Sequence, residues 1–113
     1  MTDKNGVVLV MFDLPNTTKS EQRAYRHFHK YLISKGYCCI QKSIYVKLLR
    51  NITSAKGEID GLKDISPDCG SIAVIPMTLN NFKKMEVITG TEFNFSVFSD
   101  KILYFPIDIC ENM

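Results

Sequence analysis

The chain has 113 residues, 45% of them apolar and 23% charged, an ordinary globular balance with room for one core and not two. No apolar run reaches the ~18 residues that cross a bilayer, and residues 1–6 lack a signal peptide's apolar centre. The four cysteines form no Cys-x-x-Cys pair of the kind that binds zinc. These features lead us to expect a single soluble, cytoplasmic domain over residues 1–113, with reduced thiols and no membrane partner.

The net charge of +2 hides an asymmetry: residues 1–56 hold 10 Lys/Arg against 3 Asp/Glu, and residues 57–113 hold 4 against 9. A basic first half hints at a polyanionic partner. Residues 7–12, Val-Val-Leu-Val-Met-Phe, read as a strand buried on both faces, because the apolar run is continuous rather than alternating. Pro15 removes a backbone donor and ends the ladder. Thr18-Lys19-Ser20-Glu21 has the form of a capping box, so a helix starts there and runs to Lys35, where Gly36 supplies a left-handed stop. Residues 37–49 are too long for one strand and carry a polar break at Gln41-Lys42-Ser43, so two strands around a tight turn are predicted. A helix over about 53–65 follows, weakened by Gly57 and Gly61. Pro67-Asp68-Cys69-Gly70 is turn chemistry, and residues 71–78 form a further strand. Thr78 caps a helical turn over Leu79–Lys84, and 85–89 is strand-like. Residues 93–98 are ambiguous, and 101–109 read as a last strand, placed at an edge by Pro106. The class is α+β: a ferredoxin-like β-α-β-β-α-β sandwich, its sheet largely antiparallel with helices on one face. Residues 92–113 form an extension that carries the extra C-terminal strand.

The first helix is the most informative element. At about 100° per residue, Lys19, Arg23, Arg26 and Lys30 fall within roughly 60° of one another. Ala24, Tyr25, Phe28, Tyr31 and Leu32 gather opposite. Cations three and four apart recur about every 5.4 Å along the axis, a spacing at which each can meet a phosphate. A solvated face is the plainer reading of such a stripe. Against it, no carboxylate interrupts the helix after Glu21, whereas helices built for solubility mix signs. His27 and His29 lie two apart and point to different faces, so they cannot share one metal.

Asp13 stands just past the strand's apolar run, on the rim where sheets commonly place chemistry. It can bind a hard cation such as Mg²⁺, or close the loop as an Asx turn. The turn is the simpler reading, since one Asp builds no metal cage; a homodimer would change this by bringing a second Asp13.

Several short stretches, in this order and spacing, resemble one known family. They are Met11-Phe12-Asp13-Leu14-Pro15, Arg23-Ala24-Tyr25-Arg26-x-Phe28, Gly36-Tyr37, Gln41-x-Ser43-Ile44-Tyr45-x-Lys47-Leu48-Leu49, and Thr78-x-x-x-Phe82-x-x-Met85. Together they are similar to the second core adaptation protein of CRISPR systems, the CRISPR-associated endoribonuclease family, and most like members that accompany type II systems. The resemblance implies a ferredoxin-like homodimer in which Asp13 faces its symmetry mate and binds Mg²⁺ or Mn²⁺ for phosphodiester hydrolysis. It also implies that the dimer bridges integrase subunits and holds the middle of a prespacer DNA duplex on its basic surface. Some members cut double-stranded DNA or single-stranded RNA. The final strand is expected to dock by strand addition to a sheet edge.

Ser43 then has two readings, orienting the metal water or capping the turn, and Phe12 either walls the site or packs the core. Lys42 joins Lys19, Arg23, Arg26 and Lys30 as a phosphate contact. The sequence therefore supports a DNA-binding adaptation subunit, with a dedicated metal-dependent endonuclease centred on Asp13 as the alternative. A ferredoxin-like RNA-binding module is weaker, because the aromatic RNA-stacking signature is absent.

Overall fold

The computed structural model describes residues 4–90. In chain order these form β1 (Gly6–Asp13), α1 (Lys19–Ser34), β2 (Cys38–Gln41), β3 (Ile44–Leu49), a 3-10 turn (Ile52–Ser54), α2 (Ala55–Ile65), β4 (Ser71–Thr78) and α3 (Leu79–Phe82). The sheet order is β2-β3-β1-β4, and every pairing is antiparallel. This is the ferredoxin-like arrangement. The expected extension over 92–113, with the final strand at 101–109, lies outside the described residues.

Strand β1 is central, and its alternation divides the core in two. Val8, Val10 and Phe12 face α1 and α2, where Phe28, Leu32, Tyr45, Leu49 and Leu62 close over them. Val7 and Leu9 face the other way, against Ile40, Val46, Leu79 and Phe82. Both rows are buried, which explains the continuous apolar run; each such side chain contributes about 1.5–3 kcal/mol on full burial. The expectation of helices on one face alone needs correction: α3 covers part of the second face through Leu79 and Phe82.

Local signals explain the element ends. The Thr18 hydroxyl accepts from the Glu21 amide at 3.1 Å, and the Glu21 carboxylate accepts from the Thr18 amide at 3.0 Å. At the other end of α1, the Tyr37 amide donates to Leu32 O and the Gly36 amide to Ile33 O, a Schellman closure that needs the left-handed φ of 92° at Gly36. Residues 37–49 divide as predicted, around Lys42-Ser43, with an irregularity in the pairing between Cys39 and Gln41. The α2 region opens with the 3-10 turn, capped by the Asn51 side chain accepting from the Thr53 amide at 3.0 Å. The Thr78 hydroxyl caps α3, accepting from the Asn81 amide at 3.2 Å.

The strand expected over 85–89 does not form. Met85 and Val87 pack on the second-face cluster while Glu86 and Ile88 are exposed. The alternation there records one-sided packing without a strand ladder.

Candidate nucleic-acid interface and carboxylate rim

Helix α1 packs Phe28 and Leu32 into the core, with Tyr25 and Tyr31 half-buried at its margins. That seating turns Lys19, Arg23, Arg26 and Lys30 outward, and all four are exposed. The ion pairs Lys47–Glu58 at 2.7 Å and Lys56–Asp60 at 3.2 Å lie elsewhere. Among the described residues no carboxylate pairs with any cation of the stripe. Glu21, the one acid of α1, is held at the helix start, accepting from the Thr17 amide and hydroxyl and the Thr18 amide. The Thr18 amide, then the Thr17 hydroxyl, draw its pKa below the usual glutamate value. The result is a cationic face whose charges are free to meet a polyanion. His27 and His29 are also exposed.

Asp13 ends β1, exposed, with Ser71 of β4 as its cross-strand partner. By alternation it belongs with Val7, Leu9 and Met11, on the sheet face away from α1 and α2. The carboxylate and the cation stripe therefore project from opposite layers of one chain. No described residue hydrogen-bonds or ion-pairs with the Asp13 side chain, so it closes no Asx turn. Phe12 points the other way into the core, stacked on Tyr45 at 5.6 Å and edge-on to Phe28 at 5.1 Å; it packs the core and does not wall the rim.

The β2–β3 turn reaches the same end of the sheet. The Phe12 amide donates to Ser43 O at 3.1 Å, which sets Ser43 across from the residue before Asp13. Ser43 has φ 67°, the left-handed region that favours glycine. Lys42 beside it is exposed. Reading the sequence missed two neighbours of Asp13. One is Ser71. The other is Gly70, where a Cβ would fall 2.7 Å from Asp13 O and 2.7 Å from Leu14 Cδ2. The glycine in a Pro-Asp-Cys-Gly turn was a usable signal; its approach to Asp13 was not. Also missed was an apolar strip beside the carboxylate. Met11 is 36% and Ile75 44% exposed, and Ala73, the partner of Met11, is exposed between them.

Among the described residues no three His, Cys, Asp or Glu side chains converge as a metal cluster. Asp13 therefore belongs to no three-ligand cluster among the described residues. No described helix is long and apolar enough to cross a membrane.

Comparison with known proteins agrees with this arrangement. Residues 6–85 match the family model for CRISPR associated protein Cas2. A protein of Campylobacter jejuni named CRISPR-associated endoribonuclease Cas2 is 36% identical over 100 residues, covering 88% of this chain and 67% of that one. Its namesake in Streptococcus mutans is 36% identical over 98 residues, 87% of this chain and 92% of the relative. That of Treponema denticola is 37% identical over 83 residues, 74% and 82% respectively. With the ferredoxin-like sheet, the exposed Asp at the end of its first strand and the family match over most of its length, the chain belongs to the Cas2 family of CRISPR-associated proteins.

Proposed function

We propose that the chain is a CRISPR adaptation subunit. It acts as a homodimer that holds the prespacer DNA duplex on its two α1 faces and bridges dimers of the integrase subunit during spacer acquisition. The observation that carries this reading is the row of exposed cations Lys19, Arg23, Arg26 and Lys30, which pair with no carboxylate among the described residues. Lys42 adds a fifth contact. Such a row reads phosphates and duplex shape, with little base preference. The apolar strip of Met11, Ala73 and Ile75 supports pairing of two copies, because contiguous apolar surface on a sheet face gains by being covered. The outer edge of β4, at the end of the sheet order, suits strand addition by residues 101–109.

A second reading, metal-dependent endonuclease activity on DNA or single-stranded RNA, is favoured by the unspent Asp13 carboxylate and by the endoribonuclease name of the relatives. One Asp13 alone does not fit an ion. Two across a symmetry axis would, since Mg²⁺ or Mn²⁺ accepts few carboxylates beside water and phosphate oxygens. An ion held there supplies a bound water of lowered pKa and offsets phosphate charge. Asp13 is then the catalytic and metal-holding group, and Ser43 a positioning one.

Spacer acquisition in cells and phosphodiester cleavage in solution separate the two. Asp13→Ala abolishes cleavage and spares acquisition if the subunit's role is to hold DNA. Arg23→Glu with Arg26→Glu abolishes acquisition. Acquisition that survives the double reversal refutes the stripe as the DNA contact.

A further inference from the structure

A groove of about 410 Å³ lies between α1 and β3, lined by Tyr25, Arg26, His29, Lys30 and Tyr45. Its volume falls in the lower part of the range of small-ligand sites, about 300–1,000 Å³. Among the described residues the lining is three rings and two cations, with no carboxylate. The rings are backed by the core: Tyr45 stacks on Phe12 at 5.6 Å, His29 meets Tyr45 edge-on at 5.8 Å, and Phe12 meets Tyr25 edge-on at 6.1 Å. Burial, then Cys39 beside it, pushes the Tyr45 phenol up to about 12, as suits a ring seated in the core. Arg26 and Lys30 belong to the stripe, so the groove opens directly beside the proposed track of phosphates.

Aromatic faces interleaved with cations are what unpaired nucleotides need: a ring on which a base stacks and a charge for the adjoining phosphate. An acidic peptide would engage the two cations and leave the three rings unused. A fully paired duplex likewise presents phosphates here and keeps its bases stacked within. We propose that this groove takes one unpaired nucleobase of a nucleic acid whose phosphates lie on the α1 stripe. The base rests against Tyr25 and His29, with the buried Tyr45 ring forming the floor behind them, and the adjoining phosphate lies on Arg26 and Lys30. The inference rests on the duplex-holding reading and extends it: the surface senses an unpaired base within or beside the duplex it carries.

The test titrates the full-length chain into three labelled duplexes at one salt concentration. One is fully paired, one carries a single bulged thymidine, and one carries an abasic bulge at the same place. The bulged thymidine is expected to bind at least ~5-fold more tightly than the abasic bulge, the contribution of one stacked base. His29→Ala, at an exposed position outside the stripe, brings that ratio to one and leaves affinity for the paired duplex unchanged. His29→Phe, which keeps a ring, retains the preference. A ratio of one in the unaltered chain, with paired duplex still bound, overturns the groove and leaves the duplex track standing. Failure to bind any of the three overturns both. Displacement of the thymidine-bulged duplex by polyglutamate as readily as by unlabelled bulged DNA assigns the groove to acidic peptides and overturns the nucleobase assignment.

Discussion

Replacing Arg23 and Arg26 with Ala removes two of the four exposed cations on α1 without touching the core. If each of the four, with Lys42 as a fifth, neutralises one phosphate, log K for duplex falls with log salt at a slope of about −4.5 per chain, and the double variant falls at about −2.7. A pair of chains on one duplex doubles both slopes. Between roughly 50 and 200 mM salt, the unaltered pair then loses about 5 decades of affinity and the variant pair about 3. Fluorescence anisotropy with a labelled duplex, repeated across that salt range, gives both slopes. The far-ultraviolet spectrum and thermal midpoint of the variant should match the unaltered chain. A slope that stays the same after both arginines are gone refutes the reasoning, because counterion release would then come from another surface.

Other expectations concern the frame that holds the site. Glu58 accepts from Lys47 Nζ at 2.7 Å and from the Tyr37 hydroxyl at 3.0 Å; Lys47 and Glu58 are each 23% exposed and Tyr37 only 2%. Glu58→Ala leaves that buried hydroxyl without an acceptor and should cost about 2–3 kcal/mol in urea unfolding. Tyr37→Phe should cost clearly less in the Glu58→Ala background than alone, and equal costs would refute the coupling. Thr18→Ala should lower stability by about 1 kcal/mol through loss of the cap. Because hydrogen bonds from Thr18 and Thr17 depress the Glu21 pKa, the cap's contribution is fully present above the ordinary glutamate value. It is lost as pH falls through the lower folded value, so unfolding midpoints of the unaltered chain and Glu21→Gln should converge in acid. Gly70→Ala forces a side chain onto a φ of 85° and against Asp13 O. It should cost more than about 1 kcal/mol, and a neutral thermal midpoint would show that the approach relaxes freely.

The stretches read most directly from sequence are those whose physics is local. Thr18 and Glu21 lie three residues apart and bond to each other's amides, so the helix start is written in four residues. Gly36 ends α1 because the last turn needs a left-handed residue there. The cation stripe follows from helical periodicity once the apolar face is known to be inward. The turn at Lys42-Ser43 showed itself as a polar break in an apolar run. Residues 85–89 misled for the same reason: alternation reports which side chains are covered and says nothing of a neighbouring strand. Glu58 was equally silent, since its partners Tyr37 and Lys47 are 21 and 11 residues away.

The sequence by itself determined the order of elements from β1 to α3, the caps at Thr18 and Thr78 and the cationic face, because each depends on neighbours within a turn or two of chain, and it showed the family because short stretches recur in order from Met11 to Met85. Only the tertiary structure decided that Asp13 and the stripe leave the chain on opposite layers. It alone set Ser71 across from Asp13 and Gly70 against the Asp13 backbone carbonyl, spread an apolar strip next to the carboxylate, and opened a ring-lined groove at Arg26 and Lys30. Those relations come from strand register and from the seating of α1 on the sheet. They join residues tens of positions apart, which pack together because burying Val8, Val10, Phe12, Phe28 and Leu32 in a single core permits one alignment of helix and strands.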